Sequence, residues 1–123
     1  MSKLSASLED YLEIIYNYES LNKQIRAIDI AKQLNISRAS VSEALKKRAI
    51  KGFINYGHYD AISLTCIGKE VSKEIASKHN TLKNFFINVL ELTEEEASEN
   101  ACKIEHVITD GAFKKITELV NRL

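Results

Sequence analysis

The 123-residue sequence contains no proline and only four glycines, so few positions in it would interrupt a helix. Its two cysteines, Cys66 and Cys102, are far apart, which argues against a disulfide framework and favours a reduced, cytoplasmic setting. It contains no apolar signal segment and no apolar run of membrane-spanning length. We therefore expect one mainly helical domain, or two small halves sharing a core, with no membrane partner.

The formal net charge of zero conceals two oppositely charged segments. Residues 23–51 hold eight Lys or Arg and two acidic residues, a local net charge of +6. Residues 90–105 hold six Glu and one Lys, a local net charge of −5. Because cationic surfaces attract the phosphates of nucleic acid, the first segment is expected to face DNA and the second is not.

The basic segment has the pattern of two short helices joined by a tight turn. Asn35 tolerates the left-handed conformation, Ser37 can cap the second helix, and Gly52 is expected to end it. Two helices so joined form a helix-turn-helix, whose second helix reads the major groove. The apolar sides of the helices are formed by Ile28, Ile30, Ala31 and Leu34 in the first and by Val41, Ala44, Leu45 and Ala49 in the second.

The second helix would present short and cationic side chains to DNA. Arg38 and Ser40 are the best candidates for base contacts, with Lys46 and Lys47 on phosphates. An ordinary helical hairpin with a solvated Lys-rich face is the alternative, and the local charge favours DNA. The predicted DNA-binding residues are Arg26, Ser37, Arg38, Ala39, Ser40, Ser42, Lys46, Lys47, His58 and Tyr59.

Residues 53–64 predict a short β-hairpin directly behind the reading helix. Segments 53–56 and 61–64 are rich in β-branched and aromatic residues, and Gly57 lies in the intervening turn. A hairpin in this place is the wing of a winged helix. His58 and Tyr59 would lie at its tip, so His58 is interpreted as a DNA or solvent contact rather than a metal ligand.

The flanking sequence predicts four further helices. Ser7, Thr65, Thr93 and Thr109 are their expected capping residues, and the third of these helices should extend to about His106. The terminal helices hold more apolar surface than a small three-helix unit could bury, so we expect a symmetric homodimer. The long helix that follows Thr65 has its apolar residues at Ile67, Val71, Ile75, Leu82, Phe85, Phe86 and Val89.

A second informative cluster is Cys102, Glu105 and His106. Their spacing places all three on one face of a helix, where a thiolate, a carboxylate and an imidazole can bind a transition metal. The same spacing also fits a buried Cys beside a surface Glu–His pair. Further candidate ligands on other helices are His79 and the pair Asp10 and Glu13, although that pair taken alone favours a solvated acidic edge.

Together these segments resemble the diphtheria-toxin-repressor family of metal-dependent transcriptional repressors, especially its short manganese branch. The matching motifs cover nearly the whole chain in order: LEDYLEIIY at 8–16, IDIA at 28–31, SVS at 40–42, ISLT at 62–65 leading to Gly68, KH at 78–79 and CKIEH at 102–106. The resemblance implies a mainly α fold with a small β-hairpin. A winged helix-turn-helix at 1–68 would precede a helical dimerisation and metal-binding domain at 69–123, without the family's C-terminal SH3-like domain.

The resemblance also implies a metal site formed by Asp10, Glu13, His79, Cys102, Glu105 and His106. Asp10 matches the manganese branch, whereas Cys102 matches the iron branch. A thiolate favours Fe²⁺, Co²⁺, Ni²⁺ or Zn²⁺ over Mn²⁺, while the carboxylates are ligands that Mn²⁺ and Fe²⁺ both accept. Fe²⁺ is therefore the predicted ion, Mn²⁺ the second candidate, and Co²⁺, Ni²⁺ or Zn²⁺ are possible surrogates.

The predicted function is repression of metal-uptake genes by a metal-loaded dimer bound to operator DNA. The iron branch's ancillary metal site is not expected, because two of its positions match Lys83 and Ser98. One alternative is a winged-helix regulator without metal sensing, switched by oxidation of Cys102. A metalloenzyme or metal carrier is less favoured, since nothing in the sequence suggests a nucleophile or a glycine-rich phosphate loop.

Overall fold

The structure, a computed structural model, describes residues 6–47, 50–57 and 61–123. These residues fold into two compact units, which divide between Lys73 and Glu74 within the fourth helix. No helix among them has the length and apolar character needed to cross a membrane. The mainly α fold with a small sheet confirms the predicted fold class. The elements in order are α1 (Ala6–Ser20), β1 (Ile25–Arg26), α2 (Ala27–Leu34), α3 (Arg38–Lys46), β2 (Ile54–Tyr56), β3 (Ala61–Leu64), α4 (Cys66–Asn88), α5 (Glu94–Ile104) and α6 (Asp110–Asn121).

Local hydrogen bonding produces the turn between α2 and α3. Asn35 adopts the left-handed conformation, with φ 56° and ψ 46°, and its N–H donates to the Ala31 carbonyl. The Ser37 hydroxyl accepts a hydrogen bond from the Ser40 N–H at 3.1 Å, which is the geometry of an N-cap. The predicted turn and cap of the helix-turn-helix are both confirmed.

Two predicted details of the helix-turn-helix are wrong. α3 ends at Lys46 rather than at Gly52, because Lys47 is already extended (φ −69°, ψ 150°). Gly52 lies instead in the turn before β2, where its φ of +95° suits a residue without Cβ. Ile28, predicted on the apolar side of α2, is 41% exposed. Ala49, predicted on that of α3, lies outside the described residues.

The predicted hairpin is present as β2 and β3, which pair antiparallel with Ile54 opposite Leu64 and Tyr56 opposite Ile62. Strand β1, which the sequence did not predict, pairs on the other edge of β3 and gives the order β1-β3-β2. Ile62 and Leu64 are buried while Ser63 between them is exposed, as expected for a sheet with one covered face.

Helix α1 contributes to the core of the first unit. Leu12 and Ile15 are fully buried, and the Glu19 carboxylate accepts a hydrogen bond from the Leu64 N–H at 2.8 Å, which joins the end of α1 to β3. The helix begins at Ala6, so Ser7 lies inside it and is not its N-cap. Other residues with less than 2% exposure in this unit are Ile25, Ala27, Ile30, Val41, Ile62 and Ser72.

The first turn of α4 packs closely against the segment before β2. The Thr65 hydroxyl accepts from the Gly68 N–H at 3.0 Å, which confirms the predicted cap, and donates to the Gly52 carbonyl at 2.6 Å. A Cβ at Gly68 would overlap the Phe53 carbonyl oxygen, so this position requires glycine. Ile67, predicted on the apolar side of the helix, is 59% exposed.

The second unit has its own small core. Thr93 and Thr109 cap α5 and α6 as predicted, each accepting a backbone hydrogen bond at 3.2 Å. α5 ends at Ile104, two residues before the predicted end. No residue of α6 is fully buried, so its apolar side chains are only partly covered. The core consists of Leu82, Ala101 and Ile108, packed against Phe86, Ile104, Phe113 and Ile116.

Candidate metal and DNA-binding sites

A buried acid–imidazole pair lies in the second unit. Nδ1 of His79, in the middle of α4, is 2.9 Å from Oε1 of Glu105, the C-cap residue of α5. Glu105 is only 3% exposed, and its second oxygen, Oε2, has no hydrogen-bond partner among the described residues. A buried carboxylate is costly unless its charge is compensated. Two ligand atoms that bind one metal ion at right angles, each about 2.1 Å from the ion, are about 3 Å apart. The distance between Nδ1 of His79 and Oε1 of Glu105 is therefore compatible with a shared cation.

Cys102 and His106 form a second pair of donors in the same unit. The Cys102 Sγ and a ring nitrogen of His106 lie within 4.8 Å of each other. The side chains of Cys102, Glu105 and His106 differ in environment: Cys102 is exposed, Glu105 is buried and His106 is half-buried. α5 ends at Ile104 and His106 follows in a turn, but Glu105 keeps a right-handed helical conformation (φ −58°, ψ −28°), so the shared helical face stays a prediction.

The other predicted ligands, Asp10 and Glu13, lie on α1 in the first unit. Both are half-buried, and their three-residue spacing places them one turn apart on the same side of that helix. In the second unit, Lys83 forms an ion pair with Glu94 at 3.1 Å. Lys83 is one of the two residues on which the expected absence of the ancillary site depends, and that absence stays a prediction.

Most of the predicted DNA-binding side chains are exposed, as DNA contact requires. The hydroxyls of Ser37 and Ser40 lie 2.8 Å apart at the start of α3. Ser42 is half-buried instead, with its hydroxyl 3.5 Å from that of Tyr56, so it faces the hairpin. His58 and Tyr59 lie outside the described residues. The exposed residues are Arg26, Ser37, Arg38, Ala39, Ser40, Lys46 and Lys47.

A groove between α3 and the hairpin was missed by the sequence interpretation. It has a volume of about 550 Å³, and we call it the hairpin groove. Lys51 belongs to the basic segment noted in the sequence. No periodicity in the sequence indicates that Lys51 and Tyr56 line the same groove. The described residues that line the groove are Leu45, Lys46, Lys51, Ile54, Asn55, Tyr56 and Gly57.

The two halves of the chain match two domains of one protein family. Residues 3–62 match the domain described as "Iron dependent repressor, N-terminal DNA binding domain". Residues 65–123 match the domain described as "Iron dependent repressor, metal binding and dimerisation domain".

Relatives of similar length are transcriptional regulators by name. The chain is 41% identical over 114 residues to an uncharacterized HTH-type transcriptional regulator of Methanocaldococcus jannaschii, covering 92% of this chain and 91% of that protein. It is 29% identical over 115 residues to the HTH-type transcriptional regulator MntR of Oceanobacillus iheyensis, covering 94% of this chain and 78% of that protein.

Solved structures share the fold. The manganese regulator SloR superposes with a TM-score of 0.78 at 27% identity, over all of this chain and 56% of its own. IdeR of T. acidophilum superposes with a TM-score of 0.80 at 24% identity, over 92% of this chain and 53% of its own, and this shows the fold alone. The chain thus spans about half the length of these solved chains.

Proposed function

The chain belongs to the iron-dependent repressor family, and on that premise we propose that it represses metal-uptake genes by binding their operators when loaded with Fe²⁺ or Mn²⁺. Membership confirms the resemblance found in the sequence motifs. The observation that best supports metal dependence is the Glu105 carboxylate, which is almost fully buried and has one oxygen without a partner among the described residues.

A divalent cation fits the residues of the second unit. Its charge would compensate the buried carboxylate of Glu105, which the His79 imidazole alone does not do when that ring is neutral. Cys102 adds a thiolate and His106 a further imidazole, both typical ligands of transition metals. The donor chemistry therefore suits Fe²⁺, and it suits Mn²⁺ less well because of the thiolate.

We extend the ligand set to α1 on the strength of the sequence resemblance. Asp10 and Glu13 would supply the carboxylate oxygens that Fe²⁺ and Mn²⁺ accept. With ligands on the helix that is joined to β3 through Glu19, metal affinity and DNA affinity would be linked, and the linkage is reciprocal. The full proposed set is Asp10, Glu13, His79, Cys102, Glu105 and His106.

The DNA partner is proposed to be a duplex operator read by two copies of α3 in a homodimer. The exposed, small and cationic surface of α3 supports this, because it lets the helix approach base edges while Arg38 reaches a base. The partly covered apolar side of α6 supports self-association. The proposed DNA contacts remain Arg26, Ser37, Arg38, Ala39, Ser40, Ser42, Lys46 and Lys47, with His58 and Tyr59 from the hairpin turn.

The test is an anaerobic selection of sheared DNA from the source genome, carried out with Fe²⁺, with Mn²⁺ and with chelator. We expect fragments upstream of metal-uptake genes to be enriched only when a metal is present. The Glu105→Gln variant, which removes the buried carboxylate, should lose that enrichment. Enrichment of the same fragments in chelator, or of unrelated fragments only, would contradict the proposed function.

A further inference from the structure

We propose that the hairpin groove binds a phosphodiester group of the DNA backbone beside the bases read by α3. This inference rests on the proposed function and adds a contact site to it. It assigns DNA binding to Lys51 and Tyr56, in addition to Lys46 on α3.

The charge of the groove suits a phosphate. Lys46 and Lys51 are both exposed and line it, and neither side chain has an ion-pair or hydrogen-bond partner among the described residues. No acidic residue is among the described residues of the lining. Two ammonium groups at one groove can neutralise a backbone phosphate and release the counterions condensed on the DNA.

The framework of the groove is well fixed. Leu45 and Ile54, at 3% and 8% exposure, form an apolar floor. The backbone of Lys51 is held by its bridge with Ile54, so this lysine is anchored beside the first residue of β2. The Asn55 amide donates to the Ser63 hydroxyl at 3.2 Å, which fixes the neighbouring strand. The backbone that carries these side chains is therefore positioned before a phosphate binds.

The phenol of Tyr56 adds a polar group at the hairpin side. Its oxygen lies 3.5 Å from the hydroxyl of Ser42, which belongs to α3. A hydroxyl in this position can donate to a phosphate oxygen. Its contact with Ser42 also connects the hairpin to the reading helix. Because Lys46 belongs both to this groove and to the exposed side of α3, the groove is continuous with the proposed DNA-reading surface.

DNA is favoured over an acidic protein because of that continuity and because the surrounding segment, residues 23–51, carries a net charge of +6. A backbone phosphate contact positions the protein without reading sequence. Loss of Lys51 should therefore weaken binding to operator and random DNA alike, whereas loss of Arg38 should weaken operator binding more.

The experiment measures the affinity of metal-loaded Lys51→Gln for operator and random duplexes from about 0.05 to about 0.3 M salt, about a sixfold range of ionic strength. We expect a loss of about fivefold to tenfold at 0.1 M on both duplexes, and a salt slope lower by about one. Tyr56→Phe should show a smaller uniform loss. Lys69→Gln, which removes an exposed lysine of α4 outside the groove, should bind like wild type.

The outcomes separate this inference from the proposed function. If wild type binds the operator with metal and Lys51→Gln equals it in affinity and salt slope, the groove assignment is overturned and the proposed function stands. If Lys51→Gln loses operator binding alone, the lysine reads bases and the phosphate assignment is again overturned. If wild type binds no DNA with any metal, both are overturned.

Discussion

His79 and Glu105 are joined at 2.9 Å between the imidazole Nδ1 and the carboxylate Oε1, and this contact links α4 to the end of α5. The carboxylate is buried and its other oxygen has no partner among the described residues. Without a cation, the second unit therefore contains a destabilising group in its interior. Removal of the Glu105 charge should therefore raise the free energy of unfolding without metal and lower it with metal bound.

Replacement of Glu105 by Gln removes the charge and keeps an oxygen that can accept from His79. In chelator we expect the free energy of unfolding to rise, on the order of 1 kcal/mol, because a buried charge is removed. In saturating Fe²⁺ or Mn²⁺ we expect less stabilisation than in wild type, since at least a tenfold loss of affinity removes about 1.4 kcal/mol of it. Urea unfolding in both conditions measures the two effects.

Glu99→Gln is the matched control for Glu105→Gln. Glu99 lies on α5, the helix that Glu105 caps, and pairs with Lys103 at 3.1 Å, but its side chain is 63% exposed. Its loss should change stability by less than about 0.5 kcal/mol with or without metal. A metal response of Glu105→Gln equal to that of Glu99→Gln would show that Glu105 does not serve the metal site.

Cys102→Ser tests the thiolate ligand. Anaerobic titration of the wild-type protein with Co²⁺ should produce near-ultraviolet charge-transfer absorption from a Co²⁺–thiolate bond, and the variant should lack it. Cys66→Ser is the control, because Cys66 is also exposed but lies at the start of α4. Equal absorption from wild type and Cys102→Ser would mean that Cys102 is not a ligand.

Gly68→Ala should destabilise the first unit. The new methyl group would overlap the Phe53 carbonyl oxygen, and the backbone must shift to relieve the overlap, at a cost of about 1–3 kcal/mol. Gly111→Ala, also in the first turn of a helix, has open space around the new methyl group and should be neutral or slightly stabilising. Thermal unfolding in chelator distinguishes the two, and equal stability of the variants would refute the close packing of α4.

Leu119→Lys tests the proposed use of α6 in self-association. Leu119 is half-buried on a helix with no fully buried residue, so a lysine there should disturb a dimer contact more than the fold of one protomer. Sedimentation should show a monomer, with operator affinity reduced at least about tenfold. Asn121→Lys adds the same charge at an exposed position of α6 and should remain dimeric. A dimeric Leu119→Lys protein would place the interface elsewhere.

Local signals in the sequence were sufficient to predict much of the fold. Asn35 and Ser37 determine the turn before α3 through their own backbone conformation and hydroxyl bonding, so the helix-turn-helix could be predicted. The end of α3 could not, because Lys47 leaves the helical conformation without a glycine or proline to mark it. Strand β1 has only two residues and depends on its pairing with β3, which no local pattern reveals.

The sequence could predict which residue types would form the candidate site, but not how their side chains are arranged or buried. The spacing of Cys102, Glu105 and His106 indicated candidate donors, yet only the fold brings Glu105 against His79, twenty-six residues away. The spacing also does not reveal that Glu105 is buried while Cys102 is exposed. The contact and the burial are both tertiary effects. The residue types therefore indicated the candidate ligands, whereas packing determines the environment of each one.

The most direct test of the central claim is anaerobic fluorescence anisotropy of a labelled duplex from the gene's own promoter, titrated with protein in Fe²⁺, in Mn²⁺ and in chelator. We expect binding to be about tenfold to hundredfold tighter with metal than with chelator, within the usual range of coupling between two sites, and tighter with Fe²⁺ than with Mn²⁺. Equal affinity in chelator would contradict metal-dependent repression and would make oxidation of Cys102 the leading explanation for the site.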